Sequence, residues 1–147
     1  MKKEPLVFIL NGPNLSMLGV RELSRYGKQT MWDLEQLCLK EAANLGLRID
    51  FRQTVHEGTL VEWIQESHTS AMGVILNAGG YARTSFVIPS AIRAVKTPVV
   101  EVHINNIAHR DASHPHSLLS AATRGTIFGF GLDSYVLALH ALHRLYF

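Results

Sequence analysis

The chain has 147 residues, with 47% hydrophobic and 18% charged content, which suits one domain spanning residues 1–147 and excludes a disordered chain. The net charge is +2 without any basic run, so no nucleic-acid partner is expected, and a single cysteine excludes an internal disulfide. The first apolar run, residues 6–10, is too short for a secretion signal or a membrane span, so we expect a cytoplasmic protein with no membrane partner.

Short apolar runs alternate with longer amphipathic segments, as in parallel sheets whose strands are joined by helices. In chain order we predict a strand at 6–10, a helix that Thr30 caps with Asp33 and that runs to 46, a strand at 47–52, a helix at 60–66, strands at 73–77, 98–103 and 126–128, and a helix at 133–145. The second strand alternates apolar and polar residues, which places it at a sheet edge. The predicted fold class is α/β: a flavodoxin-like, doubly wound, five-stranded parallel sheet of order 2-1-3-4-5.

Sheets of this class bind ligands beyond the carboxyl ends of their strands, where the connections diverge. Three segments occupy that edge: residues 11–26 after the first strand, 77–84 after the third and 101–114 at the fourth. The first segment is long for a loop in so small a domain, which is typical of functional loops.

Glu101 and His103 are two residues apart on the fourth predicted strand, so both side chains leave the same face. A carboxylate beside an imidazole fixes the tautomer of the histidine and raises its basicity. The alternative is a polar pair that only satisfies a helix end. The position at a strand's carboxyl end favours acid–base chemistry.

Arg21, Arg25 and Tyr26 lie in the long first loop. A free tyrosine titrates near pH 10, and one or two close guanidinium groups in a water-poor site could lower that pKa enough to make a tyrosinate base. Taken alone, the segment favours a loop tyrosine that packs its ring beside a solvated arginine.

Two turns carry amides and glycines toward the same edge. Residues 11–14, Asn-Gly-Pro-Asn, form a sharp turn from which Asn14 can direct its amide over the strand ends. Residues 77–80, Asn-Ala-Gly-Gly, allow close backbone approach to a ligand. By itself the first is a plain turn, and the second is as consistent with a simple bend.

His109, Asp111, His114 and His116 lack the regular spacing of a helical ligand pair, so an anion-binding or solvated loop is predicted there and no metal. The run from Gly129 to Gly131 lacks the rest of a dinucleotide fingerprint. The five lysines fall away from strand ends two to four, which argues against Schiff-base chemistry. No cofactor is predicted.

Nearly the whole chain resembles the type II 3-dehydroquinate dehydratases. The resemblance rests on residues 9–15, 18–22, 26–27, 56–58, 63–64, 77–80, 84–85, 101–104, 110, 116–117, 129–131 and 135–139. Within these, the order and spacing of Ile-Leu-Asn-Gly-Pro-Asn-Leu at 9–15 and His-Glu-Gly at 56–58 together are specific.

The resemblance implies a hydro-lyase that eliminates water from 3-dehydroquinate, giving 3-dehydroshikimate through an enolate without cofactor or metal. It assigns Tyr26 as the tyrosinate base and Arg21 as the group that lowers its pKa. It also implies that Asn14 holds a water that stabilises the enolate, and that His103 protonates the departing hydroxyl while Glu101 orients it.

The same resemblance implies a shell of substrate-binding residues and a homo-oligomer. The backbone N–H groups of Ile104 and Asn105 would take the substrate carboxylate, and Asn77 would contact the ring. Further binding positions are Gly79, Gly80, Arg83, Ser90, Arg110 and His114. Family members are typically dodecamers, tetramers of trimers, in which the first loop closes as a lid.

Three substrate-shell positions depart from the family pattern. Arg83 stands where the family has His, Ser90 where it has an Asp that reaches a neighbouring subunit, and His114 where it has Arg. Pro89 also predicts a helix that begins at residue 89. These changes leave open two alternatives to the dehydratase: a divergent paralogue that acts on a related cyclic keto acid, and a non-catalytic binding protein on the same fold.

Overall fold

The structure, a computed structural model, describes residues 3–20, 27–109 and 116–147. Its strands are β1 (Leu6–Asn11), β2 (Arg48–Gln53), β3 (Gly73–Asn77), β4 (Val99–His103) and β5 (Gly125–Phe128). Its α-helices are α1 (Met31–Asn44), α2 (Glu57–Ser70), α3 (Val87–Ala94) and α4 (Asp133–Tyr146), with short 3-10 turns at Leu15–Met17, Gly79–Arg83 and Ile107–His109.

The five strands form one parallel sheet in the order β2-β1-β3-β4-β5. This confirms the predicted strand order and the edge position of the second strand. Because all the strands run the same way, their carboxyl ends meet at one edge of the sheet, where the turns after β1, β3 and β4 come together.

Helices cover both faces of the sheet because the central strands are apolar on both sides. On β1, Val7 and Ile9 pack with α1 and α4 in one buried cluster. Phe8 and Leu10 point the other way and pack with α2 and α3. Alternation along one strand therefore feeds two separate cores, the doubly wound arrangement that the continuous apolar runs predicted.

The first helix begins where its capping residues predicted. The Asp33 backbone N–H donates to Thr30 Oγ1 at 3.2 Å, and the Thr30 N–H donates to Asp33 Oδ2 at 2.9 Å. Leu34, Cys38 and Ala42 supply its buried face. The second helix, α2, is longer than the predicted span of residues 60–66.

The helix predicted to begin at Pro89 begins two residues earlier, at Val87. Ser85 Oγ accepts the backbone N–H of Ile88 at 3.0 Å and so satisfies one donor of the first turn. Pro89 is the third helical residue, where a backbone N–H has no intrahelical acceptor, so its missing N–H costs nothing there. The prediction was wrong because any position in the first turn tolerates proline.

Within the described ranges, none of the helices combines the length and the apolar character needed to cross a membrane.

Candidate active site

A cleft opens at the carboxyl edge of the sheet, between the turns that follow β1, β3 and β4. It is lined by Pro13, Asn14, Leu15, Leu18, Asn77, Gly79, Gly80, Arg83, His103, Ile104, Asn105 and Ile107. Eight of the residues predicted for the site are brought together here: Asn14, Asn77, Gly79, Gly80, Arg83, His103, Ile104 and Asn105. The cleft lies where the strand order reverses, between β1 and β3.

The turns after β1 and β3 touch through two glycines. Gly12 N–H donates to Asn77 O at 2.8 Å, and a Cβ on Gly12 would lie only 2.4 Å from Ala78 O. Gly79 has φ +60°, and a Cβ there would lie 2.8 Å from Pro13 O. These glycines therefore allow the backbones of the two turns to approach each other closely. This contact holds the two sides of the cleft together.

Asn14 has a left-handed backbone with φ 69°, the sole non-glycine residue with positive φ in the described part of the chain. Its carbonyl accepts the backbone N–H of Met17 at 2.9 Å, which closes the short 3-10 turn. Asparagine tolerates this conformation better than most residues, and such outliers cluster at functional sites. Its side chain is exposed and lines the cleft.

Glu101 and His103 form a buried pair at the carboxyl end of β4. The two side chains share one face of the strand, as predicted, and His103 Nε2 lies 2.6 Å from Glu101 Oε2. Glu101 is fully buried and His103 is 7% exposed, so the pair has little contact with water. Glu101 lies behind His103 and orients its ring, while His103 reaches the cleft.

Three hydroxyl groups support the Glu101 carboxylate. Ser117 donates to Oε2, Ser120 donates to Oε1 at 2.6 Å, and Thr126 donates to Oε1 at 3.3 Å. Burial alone would raise the pKa of Glu101, but the hydrogen bonds from His103, Ser117 and Ser120 and the charge of His103 outweigh it and lower that pKa. Glu101 is therefore held as a carboxylate that accepts on both oxygens.

Sequence reasoning did not assign a role to these hydroxyl residues, although Ser117 lies in the segment that resembles the family. Thr126 lies directly opposite Glu101 in the register of β4 and β5, which the sequence analysis did not predict. Ser117 and Ser120 follow a segment outside the described residues, and no periodicity connects them to β4.

An ionised carboxylate is an acceptor only, so His103 donates to it through Nε2–H. The remaining ring nitrogen, Nδ1, has no hydrogen-bond partner among the described residues. When His103 is doubly protonated, Nδ1–H can give its proton to a group in the cleft while Glu101 stabilises the imidazolium. The arrangement fits a general acid.

The backbone after β4 lines the cleft at Ile104 and Asn105. Residues within the described ranges offer no acceptor to the N–H of Ile104 or Asn105. The chain is fixed here because Gly131 N–H donates to Ile104 O at 3.0 Å and Gly129 N–H donates to His103 O at 3.3 Å. Adjacent unpaired N–H groups suit an anionic oxygen.

The side chain of Asn77 is buried and hydrogen-bonded within the protein. It contacts the hydroxyl of Tyr135 at 2.9 Å and the backbone N–H of Gly79 at 3.2 Å. Tyr135 is fully buried on α4, and sequence reasoning gave it no role in the site.

The remaining predicted site residues are not in this cleft or cannot be placed in it. Ser90 is exposed on α3 and does not line the cleft. Arg21, Tyr26, Arg110 and His114 lie outside the described residues. The prediction that this segment binds no metal stays a prediction, since Asp111 and His114 are outside the described ranges.

The sequence matches the family described as Dehydroquinase class II over residues 5–143. This chain belongs to the class II dehydroquinase family. It is 50% identical over 139 residues to a 3-dehydroquinate dehydratase of Rhizobium johnstonii, covering 95% of this chain and 96% of that one. It is 51% identical over 136 residues to the 3-dehydroquinate dehydratase of Brucella melitensis, covering 92% of this chain and 87% of that one.

Solved structures place the fold in the same family. A type II dehydroquinase from Propionibacterium acnes superposes with a TM-score of 0.90 at 38% identity and covers 98% of both chains. The flavodoxin-like sheet order is therefore that of the dehydroquinase fold.

Proposed function

We propose that this dehydroquinase-family chain is a hydro-lyase that converts 3-dehydroquinate to 3-dehydroshikimate. The observation that carries the proposal is the buried Glu101–His103 pair. His103 lines the cleft, and its Nδ1 has no hydrogen-bond partner among the described residues. Loss of water leaves the oxidation state of the substrate unchanged overall, so the reaction needs an acid and a base but no electron acceptor.

The acid step is supported by the described geometry. His103 protonates the departing hydroxyl through Nδ1 and so releases it as water. Glu101, held as a carboxylate by Ser117 and Ser120, stabilises the charged ring until the proton leaves.

The base step is assigned to Tyr26, with Arg21 lowering its pKa, by resemblance to the family. The tyrosinate takes the proton beside the ketone, and the electron pair left behind forms an enolate. Collapse of that enolate expels the hydroxyl from the neighbouring carbon. Asn14, whose exposed carboxamide lines the cleft, stabilises the enolate through a bound water.

Substrate binding follows from the donors around the cleft. The substrate carboxylate is received by the N–H groups of Ile104 and Asn105, and Arg83 adds a positive charge to the lining. Asn77 contacts the ring, and Gly79 and Gly80 leave room for it. Arg110 and His114 complete this shell in the proposal.

One assay tests the function directly. The purified chain is mixed with 3-dehydroquinate, and the ultraviolet absorbance of the conjugated enone product is followed. Turnover that is abolished by Tyr26→Phe and by His103→Ala supports the proposal. No turnover at high enzyme concentration contradicts it.

A matched control is available because the surface carries a second Glu–His pair. His140 Nε2 lies 2.7 Å from Glu41 Oε1, and the His140 side chain is 48% exposed. His140→Ala removes an equivalent pair away from the cleft, so its turnover should equal that of the unaltered chain.

A second candidate, a related cyclic keto acid as substrate, is favoured by one observation: the side chain at position 83, arginine in place of the family's histidine, lines the cleft. The triple change Arg83→His, Ser90→Asp and His114→Arg distinguishes the two. If the unaltered chain is inactive on 3-dehydroquinate and the triple variant is active, the second candidate stands.

We also propose a cytoplasmic homo-oligomer, a dodecamer of four trimers. Exposed apolar side chains at the start of α3 support self-association, since Phe86 is 79% exposed and Val87 is 52% exposed. Light scattering coupled to size exclusion should give twelve times the chain mass of 16.4 kDa. A monomer mass would contradict the assembly without affecting the proposed chemistry.

A further inference from the structure

A continuous chain of hydrogen bonds runs behind the cleft from Gly79 to Arg52. The Gly79 backbone N–H donates to Asn77 Oδ1 at 3.2 Å, and Asn77 Nδ2 donates to the Tyr135 hydroxyl at 2.9 Å. That hydroxyl donates to Asn11 Oδ1 at 2.8 Å, and Asn11 Nδ2 donates to the backbone carbonyl of Arg52 at 3.0 Å. The chain links the ends of β1, β2 and β3 through one side chain of α4.

Backbone groups at its two ends fix the direction of every bond. Gly79 N–H can only donate, so the oxygen of Asn77 must face it, and the Arg52 carbonyl can only accept, so the nitrogen of Asn11 must face that. The Tyr135 hydroxyl is left to accept from Asn77 and donate to Asn11. Reversal of either carboxamide would set two donors or two acceptors against each other.

The linking hydroxyl is shielded from water and remains neutral. Tyr135 and Asn11 have no exposed surface, and Asn77 is 5% exposed. Burial raises the pKa of Tyr135 far above its usual range, so it keeps the proton that it donates to Asn11. A group that both donates and accepts is what this position requires.

We infer that Tyr135 is a positioning residue that locks the carboxamide of Asn77 in one orientation, with the second hydrogen of Nδ2 offered to an acceptor oxygen of the ligand in the cleft. Asn11 belongs to the same chain of hydrogen bonds, although it does not line the cleft. The ligand group received at Asn77 is thus a hydroxyl or carbonyl oxygen. The identity of the ligand in this inference rests on the proposed function. The orientation of Asn77 by Tyr135 does not depend on that function.

Tyr135→Phe removes only the hydroxyl and tests the lock through kinetics with 3-dehydroquinate. Since a contact made equally to substrate and transition state acts on binding, we expect KM to rise about tenfold while kcat changes by less than about threefold. The pH dependence of kcat should be unchanged, because the acid and base are untouched. Tyr146→Phe makes the same substitution on an exposed residue of the same helix and should change neither constant.

A double-mutant cycle separates positioning from a merely structural role. If Tyr135 acts through Asn77, adding Tyr135→Phe to Asn77→Ala should change KM by less than about twofold. Two independent effects would multiply instead, and that result would overturn the inference.

A readout that does not depend on turnover is hydrogen–deuterium exchange of the peptide that contains Gly79. We expect faster exchange in Tyr135→Phe and unchanged exchange in Tyr146→Phe. If Tyr135→Phe fails to fold, Asn11→Ala breaks the same chain at its far end and should give the same acceleration and the same rise in KM.

The outcomes are distinguishable from failure of the proposed function. Absence of turnover by the unaltered chain sinks that function, and the exchange measurement still decides whether the lock exists. Unchanged exchange in Tyr135→Phe, or faster exchange with unchanged KM in an active enzyme, overturns the inference.

Discussion

His103 Nε2 lies 2.6 Å from Glu101 Oε2, and both side chains are buried on one face of β4 at the edge where the cleft opens. A buried carboxylate is costly unless several donors compensate for the lost water. Here the imidazole and three hydroxyl groups do so. In the described part of the chain, Nε2 of the histidine is therefore hydrogen-bonded and Nδ1 has no partner.

Glu101→Gln should leave the fold intact and lower kcat by about 100-fold, because the amide cannot stabilise a charged imidazole. Turnover of 3-dehydroquinate measures the effect. Glu41→Gln alters the exposed pair with His140 and should leave kcat unchanged. Equal kcat values for Glu101→Gln and the unaltered chain would show that the pair is only structural.

Ser117→Ala should lower the free energy of unfolding at pH 7 by about 1.5 kcal/mol, because it removes one hydrogen bond to the charged Glu101. A carboxyl whose folded pKa is depressed contributes stability that is present above its ordinary pKa of 4.5 and is lost as the pH falls through its folded pKa. The difference between variant and unaltered chain should therefore shrink progressively below pH 4.5.

Urea unfolding at several pH values and one protein concentration checks this. Ser70→Ala, at an exposed site, provides the control. A pH-independent loss in Ser117→Ala would mean that the hydroxyl stabilises the loop rather than the carboxylate.

Gly12→Ala should destabilise the protein by about 1–3 kcal/mol and impair activity, since its Cβ would collide with the Ala78 carbonyl and force the two turns apart. Gly58→Ala, inside α2 with open space around it, should be neutral or stabilising. Thermal unfolding of both variants makes the comparison, and similar shifts in Tm would refute the contact between the turns.

Asn14→Gly and Asn14→Ala separate the backbone of this residue from its carboxamide. Glycine accepts φ 69° without strain, so Asn14→Gly should retain stability while losing activity. Alanine should lose activity and, in addition, about 1 kcal/mol of stability. Full activity in Asn14→Gly would remove the carboxamide from the proposed mechanism.

Cys38 should not react with thiol reagents in the folded protein. It has no exposed surface, and burial, aided by the charge of Glu35, raises the pKa of its thiol to about 12. A disulfide reagent should label it only at the rate of unfolding, with labelling rising in urea. Rapid labelling under native conditions would indicate that α1 opens readily.

Much of the fold was predictable because local patterns carry it. Apolar runs of strand length, the Thr30–Asp33 capping pair and the alternation in β2 each reflect backbone geometry within a few residues. The pairing of Glu101 with His103 was predictable for the same reason, since residues two apart on a strand share a face.

The contacts that complete the site join distant parts of the chain, and no local pattern encodes them. Tyr135 meets Asn77 across 58 residues and Asn11 across 124, and Ser117 reaches Glu101 from the connection after β4. Strand register and the path of each loop decide which side chains meet. The sequence by itself determined the sheet, its order and the pairing of Glu101 with His103. Only the tertiary structure decided what holds Glu101 charged and Asn77 in place, because burial and hydrogen bonding are properties of the packed molecule.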